Sequence, residues 1–175
     1  MPREDQIILV DEHDRQIGFM GKLETHEKGL LHRAFSIFVK NNKGEMMLQK
    51  RASDKYHSGG LWTNTCCSHP RNGEDLTLAI HRRLKEEMGF DCALTEVLTF
   101  IYQVDVGGGL KEYEFLHVFS GTYNDAPIVN PEEADDWKWI TMEELKKDVA
   151  ENPDNYSYWF KIALQKAKEN GIVLT

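Results

Sequence analysis

Leu76, Ile80, Leu84 and Met88 recur every four residues and Gly89 follows as a stop, the mark of one amphipathic helix from Glu74 to Met88. The segments on either side read as strands, and this placement constrains the fold more than any other feature. Before the helix, Ile7 to Val10 and Gln16 to Met20 form an expected hairpin joined through Asp11 to Arg15. Ala34 to Lys40 alternates, setting Phe35, Ile37 and Val39 against Ala34, Ser36 and Phe38. Asn41-Asn42-Lys43-Gly44 then turns the chain into Met46 to Lys50, a second expected hairpin. After the helix, Ala93 to Val104 and Glu112 to Gly121 read as strands around Gly107-Gly108-Gly109, and Asp136 to Ile140 as a short one. Thr141 and Glu144 predict a capping box, and Pro153 separates that helix from a last one over Tyr156 to Asn170. This order predicts an α/β fold, more narrowly α+β: one mixed β-sheet flanked by helices, with residues 1–175 as a single domain.

The chain has 175 residues, 41% hydrophobic and 29% charged, the balance of an ordinary soluble protein with a substantial core. Its net charge of -8 argues against a nucleic-acid partner. A small phosphorylated substrate needs only a few local cations and stays compatible. No apolar run is long enough to span a membrane, and Met1-Pro2-Arg3-Glu4-Asp5 lacks the apolar stretch of a leader. Three cysteines make a poor disulfide framework. The expectation is a cytoplasmic monomer or weak oligomer.

Residues with chemistry cluster on this framework. Trp62-Thr63-Asn64-Thr65-Cys66-Cys67-Ser68-His69-Pro70 sets a thiol two residues before an imidazole, just ahead of a helix bearing Arg82, Arg83, Glu86 and Glu87. In an extended segment Cys67 shares a side with His69 while Cys66 faces away. Buried cysteines ordinarily act as small hydrophobes, the reading for Cys66 and Cys92; Cys67, beside a histidine, points to catalysis. Glu87 falls inside the helix's apolar stripe, with Arg83 at its edge and Glu86 toward solvent. A carboxylate there requires a cation or a metal, and an Arg83–Glu87 pair one turn apart meets that requirement as well as a metal does. Glu112 and Glu114 leave one face of a strand that is apolar on both sides and therefore central. They point into an interior cavity or, at a charged strand end, into water. His26, His32 and His69 could join them in a mixed nitrogen/oxygen site suited to Zn, Mn or Mg. His13, His57, His81 and His117 carry no such expectation. Lys22, Arg51, Lys55 and Arg83 are available to grip a diphosphate, or are ordinary surface charges.

The Trp62 to Pro70 string and the Arg82 to Gly89 helix resemble those of the type I isopentenyl-diphosphate isomerases, over about Lys22 to Trp159. Those enzymes share the fold of the Nudix hydrolases, whose helix carries Gly-x5-Glu-x7-Arg-Glu-(apolar)-x-Glu-Glu-x-Gly. Glu74, Arg82, Leu84, Glu86, Glu87 and Gly89 fit that pattern. Ser68 stands in place of its first glycine and Arg83 in place of a glutamate, a departure that weakens the hydrolase reading. The resemblance implies a Nudix-like fold and the interconversion of isopentenyl and dimethylallyl diphosphate in isoprenoid biosynthesis. It implies Cys67 and Glu114 as the catalytic pair, with Tyr102 assisting. His26, His32, His69, Glu112 and Glu114 would hold one divalent metal (Zn2+, Mn2+ or Mg2+). Glu87 would meet a second, Mg2+, carried by the isoprenoid diphosphate substrate. Lys22, Arg51, Lys55, Ser68 and Arg83 would bind the diphosphate, and Trp159 would lie beside the hydrocarbon. The alternatives are a Nudix-type diphosphate hydrolase and a metal-binding regulatory module without turnover.

Overall fold

A computed structural model describes residues 6–174; Met1 to Asp5, read above for a leader, lie outside them. The chain forms β1 (Gln6–Val10), β2 (Gln16–Gly21), α1 (Lys22–Lys28), β3 (His32–Lys40), β4 (Met46–Arg51), β5 (Trp62–Thr63) and β6 (Cys66–Ser68). It continues with α2 (Leu76–Met88), β7 (Leu94–Gly107), β8 (Leu110–Thr122), β9 (Ala134–Ile140), α3 (Met142–Glu151), a 3-10 turn at Pro153–Asn155, and α4 (Tyr158–Glu169). The expected mixed sheet flanked by helices is present. β8 is central, parallel to β3 from His32↔Glu114 to Lys40↔Thr122 and antiparallel to β7.

The alternation along β3 sorts two cores. Ala34 and Phe38 pack with Leu116, Val118, Trp159 and Phe160 on the side of α3 and α4. Phe35, Ile37 and Val39 pack with Cys66, Ile80, Leu84 and Met88 on the side of α2. Each of those large aliphatic side chains contributes about 1.5–3 kcal/mol by leaving water. Asp75 caps α2 by accepting from Thr77 N–H at 2.8 Å, so the helix starts two residues later than Glu74. Glu74 instead takes both arms of Arg82, at 2.6 and 2.8 Å. Gly89 ends the helix at φ 72°, and a Cβ there would lie 2.4 Å from the Ile128 carbonyl oxygen. The Thr141/Glu144 capping box forms. α4 begins at Tyr158 rather than Tyr156, because Tyr156 closes the 3-10 turn and buries its ring.

The second hairpin departs from expectation. β3 and β4 pair only at Lys40↔Met46 beside the turn, then part. The Trp62–Ser68 segment enters the gap, pairing with β4 through Thr63 and with β3 through Cys66, Cys67 and Ser68. Between those pairings the Thr65 hydroxyl accepts from Val39 N–H at 2.9 Å and donates to the Met47 carbonyl at 2.7 Å. Asn64 Nδ2 donates to the Ile37 carbonyl at 3.0 Å. Side chains thus replace the missing ladder bonds, since buried backbone groups must find partners. α1 was not anticipated. Its seven residues have no apolar period, yet they set Lys22 and His26 one turn apart.

Candidate active site

Five donors converge where the ends of α1, β3, β6 and β8 meet. One ligand atom from each of His26, His32, His69, Glu112 and Glu114 lies within 4.8 Å of every other. His26 and His32 turn Nδ1 to the carbonyls of Lys22 (2.6 Å) and Leu30 (2.8 Å), which leaves each Nε2 facing inward. His26 Nε2 lies 3.2 Å from Glu112 Oε2, and His69 Nε2 3.1 Å from Glu114 Oε1. His32 and His69 bring Nε2 to within 3.2 Å of each other, a spacing that a shared cation between two lone pairs would relieve. Burial pushes His69 well below the usual imidazole range, with the neighbouring His32 adding to it, so the ring is neutral as a metal ligand must be. Burial would raise Glu114, and burial with the neighbouring Glu114 charge would raise Glu112; the adjoining imidazoles, His32 beside Glu114 and His26 and His57 beside Glu112, outweigh this and hold both carboxyls below the ordinary carboxylate range. Three imidazoles and two carboxylates fit a divalent ion, with more ligands than a four-coordinate structural zinc takes. The expected set is complete in one place.

The thiol lies beside this cage. Cys66 is fully buried in the α2-side core, while Cys67 faces the other way, as the parity predicts. Asn64 gives both amide hydrogens to the carbonyls of Ile37 and Cys66, at 3.0 and 2.9 Å. Its oxygen therefore faces Cys67, whose S–H donates to it at 2.9 Å. Burial pushes the Cys67 thiol up to about 11, with partial opposition from the Ser36 hydroxyl, so the resting sulfur keeps its proton. Trp159 Nε1–H donates to the same sulfur at 3.2 Å. Tyr102 donates to Glu114 Oε2 at 2.7 Å, and burial raises that phenol well above its ordinary value.

Cys67 and Glu114 line one cavity of about 130 Å³ together with Lys22, Arg51, Lys55, Ser68, His69, Arg83, Glu87, Glu112 and Trp159. His26, His32 and Tyr102 stand behind that lining as partners of Glu112 and Glu114. At the other end of the cavity, Arg83 donates to Glu87 at 2.5 Å, to Glu86 at 2.8 Å and to Glu133 at 3.1 Å. Glu87 is 3% exposed and also accepts from Gln49 at 2.9 Å. The Arg83–Glu87 pair therefore exists, and it faces the cavity. Arg51 and Arg83 each keep a buried Nε–H without a partner. Burial lowers Lys22, with Glu112 opposing. The Arg51 guanidinium sits 5.0 Å from the Trp159 ring centre.

Three loop residues of this lining had no warning in the sequence. Glu133 bridges Lys55 and Arg83 from an irregular loop. Tyr56 and His57 come from the loop after β4, and His57, given no place at the metal site above, lies 3.1 Å from Glu112. No periodicity marks a loop residue. His81 pairs with Asp91, and His117 with Asp14 and Glu96, away from the cavity.

Comparison with known proteins identifies relatives of this chain. Residues 30–160 match the NUDIX domain. The chain is 54% identical over 163 residues to Isopentenyl-diphosphate Delta-isomerase 2 of Aromatoleum aromaticum, covering 93% of this chain and 86% of that relative. It is 47% identical over 157 residues to Isopentenyl-diphosphate Delta-isomerase of Serratia proteamaculans, covering 90% and 88%. Among solved structures, DR0079 from Deinococcus radiodurans superposes with a TM-score of 0.75 at 17% identity, covering 91% of this chain and 98% of that one. That last likeness concerns the fold alone.

Proposed function

The chain belongs to the isopentenyl-diphosphate Delta-isomerases, built on the NUDIX fold, and we propose that Cys67 and Glu114 are the acid and base with which it interconverts isopentenyl and dimethylallyl diphosphate. The reaction serves isoprenoid biosynthesis. A proton added at C4 of the alkene leaves a tertiary cation at C3, and a proton lost from C2 leaves the internal double bond. One proton enters and one departs, so the site requires one group that holds a proton and one that does not. The observation that carries this reading is that Cys67 and Glu114 line one cavity, the thiol pushed up by burial and the carboxyl held low by its imidazole neighbour. Tyr102 holds the far oxygen of Glu114.

The Trp159 indole, whose Nε1–H donates to the Cys67 sulfur, would face the developing cation. Its face is worth about 2 kcal/mol to a desolvated cation, or about thirtyfold in rate. Lys22, Arg51, Lys55, Ser68 and Arg83 hold the diphosphate, the unpartnered Nε–H groups of the two arginines being ready donors. They hold it without protonating its bridging oxygen, which matters because an allylic diphosphate is a leaving group. His26, His32, His69, Glu112 and Glu114 fit one divalent metal (Zn2+, Mn2+ or Mg2+) supplying positive charge beside Glu114, and Glu87 fits a Mg2+ that arrives on the diphosphate. The hydrolase alternative loses a metal-binding carboxylate at Arg83.

The same reading covers 1–175 as one catalytic domain, cytoplasmic, a monomer or weak oligomer without nucleic-acid or membrane partners. Three free cysteines suit a reducing compartment, and the net charge of -8 repels nucleic acid. No helix among the described residues is long and apolar enough to cross a membrane. Proton NMR of the purified protein with isopentenyl diphosphate and Mg2+ tests the activity. The exomethylene signals should give way to those of a second allylic methyl. Release of phosphate with the alkene intact would favour a hydrolase.

A further inference from the structure

We propose that His57 is a positioning residue for the metal cage, holding one oxygen of Glu112 so that the other faces the metal. The inference rests on the metal reading above. Glu112 has two oxygens in different surroundings. Oε2 faces the cage, 3.2 Å from His26 Nε2 and 4.0 Å from His32 Nε2. Oε1 faces away from it, 3.1 Å from His57 Nε2. A carboxylate bound through one oxygen rotates about its last bond unless the second oxygen is held, and His57 is in place to hold it.

The tautomer is consistent with this. The Nε2–H tautomer, with that nitrogen 3.1 Å from Glu112 Oε1, leaves Nδ1 as an acceptor, and the Ser58 hydroxyl lies 3.2 Å from it. The ring is fixed on two further sides. It stands edge-on to Tyr56 at 4.6 Å and to Trp159 at 5.8 Å between centroids. It is not itself one of the converging donors: its centroid is 6.0 Å from that of His26, whereas the ligand His32 is at 4.9 Å.

The loop is built to deliver this residue. Ser58 adopts φ 53°, a left-handed conformation that costs energy for any residue but glycine. A Cβ on Gly59 would lie 2.5 Å from the Ser53 carbonyl oxygen, so the chain can pass only as glycine. Arg51 binds both ends of the segment. Its side chain donates to the His57 carbonyl at 3.3 Å, and its own carbonyl accepts from Gly60 N–H at 3.0 Å. Strain of this kind persists where the surrounding structure over-determines it, and here what it fixes is the histidine against Glu112. Groups that orient a metal ligand are worth about 10–100-fold in metal affinity.

Calorimetric titration of Mn2+ into metal-stripped protein tests the assignment, with the melting temperature of each metal-free variant as a control for folding. His57→Ala should weaken Mn2+ binding about 10–100-fold. His57→Gln, which retains a side-chain N–H for Oε1, should recover most of that loss, and it carries the test if the alanine variant does not fold. Glu112→Gln should lose the site. Unchanged Mn2+ affinity in His57→Ala, alongside loss in Glu112→Gln, would overturn the role of His57 and leave the cage standing. If the unaltered protein binds no Mn2+, the cage reading fails and this inference fails with it.

Discussion

The two ends of the cavity are held together in opposite ways. At the cage end, three imidazoles and two carboxylates point at one another, with Nδ1 of His26 and His32 tied to backbone carbonyls, the second oxygen of Glu114 to Tyr102, and that of Glu112 set beside His57. That end is organised around a charge placed between its own donors. At the cation end, Arg83 and Lys55 are already neutralised by Glu87, Glu86 and Glu133. An incoming diphosphate must compete with those carboxylates or recruit a metal to share them. The cage end is therefore suited to chemistry at fixed positions, and the cation end to capture by exchange of partners.

Substitutions separate the two ends, and the largest effect belongs at the thiol beside the cage. Cys67→Ala should lower kcat by about 10²–10⁴-fold, the range for a lost acid/base group. Cys66→Ala should leave kcat nearly unchanged and lower stability through its core cavity. Steady-state kinetics with thermal melts distinguish these, and equal loss of activity in both would remove Cys67 from its role.

Metal linkage comes next. Mn2+ at 100 times its Kd should stabilise the unaltered protein by about 2.7 kcal/mol. Glu112→Gln should lose that gain and Glu87→Gln should keep it, as read from denaturant melts. Glu87→Gln should instead raise the Mg2+ requirement for turnover by about 10–100-fold, with little change in melting temperature, since Arg83 retains Glu86 and Glu133. A Glu87 variant that loses the Mn2+ gain would merge the two ends into one site. The smallest expected effect is at Glu133. Removing a carboxylate that competes for Lys55 and Arg83 should lower KM up to about fivefold, from ~1 kcal/mol for an ion pair that water still reaches. Glu133→Gln with a higher KM would mean that Glu133 assists the diphosphate rather than competing with it.

The cage end was the more legible half in the sequence. Period-2 alternation determines that Glu112 and Glu114 leave one face of β8, and the same parity separates Cys67 from Cys66. Glu87 was legible as a buried carboxylate from the helical stripe, and the resemblance then named its partners. What could not be read depends on contacts distant in sequence. The split between β3 and β4 follows from Thr65 and Asn64 taking over their backbone bonds, and a turn signal at Asn41 to Gly44 carries no trace of that. α1 is too short to show a period, although it delivers both Lys22 and His26. His57 and Glu133 stand on irregular loops, where only the folded path decides which side chain meets the cavity.

Proton exchange at the substrate itself tests the division most directly. With isopentenyl diphosphate and Mg2+ in D2O, proton NMR of the unaltered protein should show deuterium entering the allylic product as the exomethylene signals disappear. Glu114→Gln should still bind the diphosphate through the cation end but form no dimethylallyl product. Isomerisation that persists in Glu114→Gln would contradict the assignment of chemistry to the cage end.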